Sequence, residues 1–181
     1  MQKNIEFDLQ AFASPIAGAK IIYLFREYSK RTTDDAKIIA FQTEGTETIS
    51  KDADVTNTKS GPIRTPKDAE IEISVTAILE KGDSILKALR KASRTGALIE
   101  CWKVNLEEKG TADNANKYEA TYYQGYLTNV EESAEAEDFV EVSMDFGANG
   151  TGEDGYVTLS QEQEEATQYS FQDVTKTGAA A

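Results

Sequence analysis

The sequence predicts a mainly β fold, a β-sandwich or rolled antiparallel sheets, with one flanking α-helix. Three observations carry that prediction. Residues 69–78 (AEIEISVTAI) alternate strictly between polar and apolar, as a half-buried strand must. Several further runs are β-branched and aromatic. Only one stretch, KGDSILKALRKASRTG (residues 81–96), combines helical apolar spacing with a cap at each end. The 181 residues suit one domain with one core, and 39% hydrophobic with 28% charged residues is a globular balance.

Taken in order, the opening MQKNIEFDLQAFASPIAG is acidic where a secretory signal is basic and lacks a continuous apolar centre. No apolar run approaches the roughly 20 residues of a membrane span. Cytoplasmic synthesis is expected. Residues 20–28 (KIIYLFREY) and 37–43 (KIIAFQT) read as strands joined through RTTDDA as a hairpin. Residues 44–68 form a long polar segment, some of which (ETIS, ADVTNT) could pair as short strands. It ends in KSGPIRTP, which holds two of the three prolines, Pro62 and Pro66. Each proline removes a backbone donor and drives the preceding residue toward extended geometry. The pair is therefore expected to make a stiff exit that does not pair regularly with a sheet edge.

In residues 69–78, Ile71, Ile73, Val75 and Ala77 share one face and Glu70, Glu72, Ser74 and Thr76 the other. The helix should start at Asp83 as N-cap and stop at Gly96. Ile85, Leu86, Leu89 and Ala92 form its apolar stripe. Lys87, Arg90, Lys91 and Arg94 complement its dipole. They are either a solvated face or, as the one basic cluster on an acidic chain, a contact for an acidic neighbour. Strands follow at 97–106, 117–131 and 137–147, the last with Val140, Val142, Met144 and Phe146 opposite Glu141, Ser143 and Asp145. GYVTLS leads to QEQEEA, expected as a helical turn, then TQYSFQDV and a loose KTGAAA tail.

Charge and composition narrow the function. Nineteen basic against thirty-two acidic residues give −13, the wrong balance for gripping phosphates. The absence of histidine removes the commonest general base and metal ligand. The single Cys101, beside Trp102, rules out an internal disulfide and reads as a buried structural thiol. Gly150-Thr151-Gly152-Glu153-Asp154-Gly155 spells a dinucleotide fingerprint, but its acids repel phosphate and a strand follows it, so a hairpin turn is expected. Asp145, Asn149, Glu153 and Asp154 miss the EF-hand spacing, and the Asn149 sequon carries no weight without a secretory signal. Tyr118, Tyr122, Tyr123 and Tyr126 crowd one strand as packing residues, with Tyr123 out of alternation and expected near a surface. No catalytic, metal or cofactor-binding residue emerges, and the chain is not expected to be an enzyme.

IAFQTEGTETISKDADVTNTKSGPIRTP, EIEISVTAILEKGD, KYEATYYQGYLTNVEE, EVSMDFGANGTGEDGYVTLSQEQEE and QYSFQD, in this order, resemble the major tail proteins (tail-tube proteins) of siphophages infecting Gram-positive bacteria. The resemblance spans about residues 18–176, and SKDADVTNTKSGPIRTP and YYQGYLTNVE are its most specific segments. It implies two packed β-sheets with a flanking helix, and rings of six subunits stacked on a tape-measure protein. It also implies partnership with tail terminator and distal tail proteins, and a lumen that DNA crosses without specific binding. The location implied is the virion tail, after assembly in the host cytoplasm.

On that resemblance residues 1–17 are an N-terminal arm, 18–176 the tube domain and 177–181 a flexible tail. Glu70, Glu72, Glu141 and Asp145 are expected to line the lumen, where negative charge repels DNA; an outer solvated face is the competing assignment. The segment 44–68, with Lys51, Asp52, Asp54, Lys59, Pro62, Arg64 and Pro66, is expected to be the loop joining one ring to the next. A carbohydrate-binding or adhesin-like β-sandwich is the alternative, sharing the tyrosines and acidic loops.

Overall fold

Seven strands and one helix make up the computed structural model, which describes residues 15–160 and 163–164. The strands are β1 (Ile21–Glu27), β2 (Lys37–Ile38), β3 (Gln42–Thr58), β4 (Gly61–Ile78), β5 (Ile99–Lys109), β6 (Tyr118–Ser133) and β7 (Glu141–Val157). The helix α1 (Ser84–Thr95) lies between β4 and β5. All strand pairs are antiparallel, in one sheet ordered β2-β1-β5-β6-β7-β4-β3.

The sheet is rolled, because side chains meet that its strand order would keep apart. Phe25 on β1 packs edge-on against Phe146 on β7 with ring centres 6.3 Å apart, although β5 and β6 lie between them in the sheet. The seam of the roll is closed by a side chain. The Tyr23 N–H donates to Gln42 Oε1 at 3.1 Å, and Gln42 Nε2 donates to the Tyr23 carbonyl at 2.7 Å. One amide thus satisfies the backbone groups that a neighbouring strand would otherwise pair.

The inner face holds the main core. Ile73, Val75 and Ala77 of β4, Val142, Met144 and Phe146 of β7, and Leu86 and Leu89 of α1 are all buried there. Each large aliphatic among them contributes roughly 1.5–3 kcal/mol by leaving water. The helix is placed by its caps. Asp83 accepts from the Ile85 and Leu86 N–H groups at 2.7 and 3.3 Å, and Gly96 takes the left-handed conformation at φ 65°. Both caps and the stripe of Ile85, Leu86, Leu89 and Ala92 are as the sequence predicts. A second, smaller cluster lies on the outer face, where Ile22, Leu24, Val104, Leu106 and Tyr118 pack with Leu159. Cys101 is fully buried, and burial pushes its thiol well above the usual range.

Four expectations are corrected. The predicted strand 37–43 is broken: only Lys37–Ile38 pairs with β1, Ile39 turns into the core, and Phe41 sits at φ 53° before β3 begins. The chain has to leave one end of the sheet there and enter the other.

Residues 44–68 belong to a β-hairpin with one bulge and are not a loop, with Pro62 opposite Asn57 and Pro66 opposite Ala53. β4 pairs with β7 only over Glu72–Ile78, so its distal half has a partner on one side alone. Prolines are tolerated in a strand where the missing N–H would face an open edge.

The glycine-rich Gly150–Gly155 continues β7 instead of turning. Gly150 and Gly152, at φ 76° and 73°, form a bulge between the Asn149–Gln124 and Glu153–Tyr122 pairs. Tyr123 is buried, not superficial, and it occupies the room this bulge leaves: a Cβ on Gly152 would lie 2.3 Å from its ring. Tyr126 is the exposed tyrosine of the group.

The N-terminal arm lies outside the described residues up to residue 14, as do TQYSFQDV and the tail; of the expected turn QEQEEA, residues 163–164 are helical.

Candidate functional site

Strand register assembles the acidic residues that sequence placed on separate strands. Alternation puts Glu70, Glu72, Ser74 and Thr76 on the outer face of β4, away from α1. The β4–β7 register sets Ser74 opposite Asp145, Thr76 opposite Ser143 and Ile78 opposite Glu141. Residues directly opposite share a face, so Glu70, Glu72, Glu141 and Asp145 stand on one surface.

The flanking strands enlarge it. Glu44 of β3 pairs with Thr76, and Glu131 of β6 pairs with Ser143. Those two carboxylates belong to the same surface and were not singled out in the sequence, because their strand neighbours are not visible there. Across β6, β7, β4 and the base of β3, this face carries no lysine or arginine among the described residues. Asp145 is fixed within it by Ser74 Oγ at 2.7 Å and Asn129 Nδ2 at 3.2 Å. Its other carboxylates, Glu44, Glu70, Glu72, Glu131 and Glu141, are solvent-exposed.

The second feature is the hairpin. Beyond the Glu72–Gly147 pair, β3 and β4 run on as a two-stranded arm. Lys51, Asp52, Asp54, Lys59, Pro62, Arg64 and Pro66 are all exposed on it. A bulge between Lys51 and Ala53 bends it, and Lys67 Nζ reaches Asp54 at 3.1 Å. Val55 and Ile63, 48% and 58% exposed, stand on opposite faces near the tip, where Val55 opposes Arg64.

The arm is anchored at its base by a partly buried polar cluster. Glu47 of β3 points into the roll and accepts hydrogen bonds from Lys103 Nζ of β5 and the Tyr123 hydroxyl of β6. Burial raises the Glu47 pKa, but the hydrogen bonds from Lys103 and Tyr123 outweigh it and hold the carboxyl below its usual 4.5. Burial, and then the bond to Glu47, pushes the Tyr123 phenol up. Tyr23 is pushed up to about 12, chiefly by burial.

A carboxyl with a depressed folded pKa stabilises the fold above its unfolded pKa, and that stabilisation is lost as pH falls through the lower, folded value. Between about pH 5 and about pH 3 the urea midpoint should therefore drop more steeply for the wild type than for Glu47→Gln. The variant should start lower at neutral pH and the two curves converge in acid. Parallel curves would remove Glu47 from this role.

The basic helix face divides. Arg90 is half-buried and ion-paired with Glu132 of β6, whereas Lys87, Lys91 and Arg94 are exposed with no ion pair among the described residues. The solvated reading fits three of the four, and Arg90 has a structural partner in its own chain. On the outer face of β1 and β5, the buried Glu100 is held by Arg26 at 2.7 Å and by the Tyr122 hydroxyl at 2.7 Å, with Arg26 stacked on Trp102.

A family model described as phage tail tube protein matches residues 15–154. A tail protein of Staphylococcus phage phiMR25 is 32% identical over 161 residues, covering 87% of this chain and 82% of its own length. The tail tube protein of Bacillus phage SPP1 is 30% identical over 151 residues; the match takes in 82% of this chain and 55% of that protein. Among solved structures, the SPP1 tail tube superposes with a TM-score of 0.70 at 24% identity, covering 92% of this chain and 96% of the other. The tail of a gene transfer agent particle, solved with C6 symmetry, gives a TM-score of 0.58 at 10% identity over 80% of this chain and all of that one.

Proposed function

The chain belongs to the phage tail tube protein family, structural subunits of the virion tail, and from that premise we propose how its surfaces are used. Six subunits close into a ring, rings stack head to tail, and the acidic face of β3, β4, β6 and β7 lines the lumen. The C6 symmetry of the structurally similar gene transfer agent tail supports the ring size. A heterologous contact that closes gives the ring, and its repetition along an axis gives the tube.

The observation that carries the lumen assignment is the four-stranded acidic face without a single basic residue among those described. DNA carries one negative charge per roughly 1.7 Å of helix axis. A wall of fixed negative charge leaves it no phosphate contacts, so it slides through without specific binding. The lumen is filled by a tape-measure protein during assembly, and terminator and distal tail proteins close the ends. The protein performs no catalysis in this reading; its work is to be a wall. Synthesis and assembly take place in the host cytoplasm.

The hairpin serves as the joint between rings. Apart from the half-buried Ala53 and Gly61, its distal residues are exposed, which suits a segment whose partner is another subunit. Negative-stain microscopy of the full chain, mixed with the tail proteins that initiate assembly, should show hollow tubes of uniform diameter. Monodisperse small particles under those conditions would overturn the reading.

A further inference from the structure

The arm's tip and its opposite pole are complementary in charge, and each exposes an apolar side chain. β4 runs from Gly61 at the tip to Ile78 at the pole, a path of about 55 Å at strand rise. At the pole, the chain between β6 and β7 exposes Phe139, which is 80% accessible. Phe139 and Ile78 form the apolar part of a cleft of about 280 Å³, and Glu135, Asp138 and Glu141 supply its carboxylates. The cleft's lining holds these three carboxylates and no base, so it calls for a cationic occupant. The tip is the reverse. Residues 51–68 hold Lys51, Lys59, Arg64 and Lys67 against Asp52, Asp54 and Asp68, a local excess of positive charge on a chain of net −13. Val55, directly opposite Arg64 in the register, pairs an exposed apolar side chain with a cation on one face.

We propose that the tip of one copy docks into the Ile78–Phe139 cleft of a second copy in the adjacent ring. Val55 meets the apolar floor and Arg64 meets the Glu135 and Asp138 carboxylates. This rests on the hairpin being the joint between rings, and adds which surface receives it. Tip and cleft lie at opposite ends of the same strand, so the contact is heterologous and propagates along an axis without closing. An apolar contact rimmed by opposite charges also fixes register, because a mis-seated tip places like charges together.

Arg64→Glu and Asp138→Arg should each lower the mass of assembled tubes at least about tenfold, since both put like charges in contact. Combining them should restore tubes, which a merely misfolded variant would not do. A second measurement is independent of charge. Val55→Cys and Phe139→Cys subunits, mixed and assembled, should yield a covalent dimer with a short bismaleimide, and Cys101 is too buried to react. Normal tubes from Asp138→Arg, no recovery in the double variant, or assembled tubes without the dimer would each overturn the docking. If Asp138→Arg is without effect while removal of the arm abolishes tubes, the joint stands and only its receiving surface is wrong.

Discussion

Replacing residues 52–68 by Asn-Gly is expected to give a folded subunit that forms no tubes. Lys51 and Ala69 are directly paired, so a two-residue type I′ turn between them continues the ladder with the twist of the flanking strands. Nothing in the removed segment is buried; Ala53 and Gly61 are its most enclosed described residues, and both are only partly so. β7 pairs with β4 from Glu72 onward, beyond the cut. The unfolding free energy should therefore change by no more than about 1 kcal/mol, as for surface changes away from core and caps. Assembly should fail completely, because the joint is lost at every subunit. A shorter deletion of residues 52–60 would be a poorer test, since it strips β3 of its distal half and leaves 61–68 an unpaired, aggregation-prone edge. Chemical unfolding and microscopy on the same preparation check both halves. Tubes at wild-type yield would show that the arm does not join the rings.

What was legible in the sequence is what local periodicity encodes. The alternation of residues 69–78 gave the inner face of β4 correctly, and capping chemistry gave both ends of α1. What was not legible depends on which strand lies alongside. Pro62 and Pro66 look strand-averse when read alone, yet the open edge of the arm makes them acceptable. Gly150–Gly155 reads as a turn, but the extra residues are taken up as a bulge around the Tyr123 ring. The acidic face was half visible. Two strands of it, β4 and β7, could be read from their own patterns, whereas the contributions of Glu44 and Glu131 depend on pairings known only from the fold. Glu47 and Lys103 carry no local mark of their meeting, being 56 positions apart in the chain. The signal available was the presence of charged residues at inward positions of β-patterned runs, which need a partner once buried.

Reversing Glu44, Glu70 and Glu72 to lysine together, with Glu141 kept because it lines the cleft, should leave tubes intact and slow DNA release at least about tenfold at low ionic strength. All three side chains are exposed and make no hydrogen bond or ion pair among the described residues, so the fold does not depend on them. Asp145 is left unchanged because it holds Ser74 and Asn129 across the sheet. Each lysine in the lumen offers a phosphate contact, and every such contact releases condensed counterions. Retention should then weaken steeply with added salt, with DNA release recovering at high salt. That recovery separates electrostatic retention from a blocked or misshapen tube, which salt would not clear. The triple glutamine variant divides the mechanism further. It removes repulsion without adding attraction, so it should fall between wild type and the lysine variant and depend only weakly on salt. On the competing assignment the same residues face bulk solvent outside the tube, and the three proteins should then release DNA at the same rate at every salt concentration.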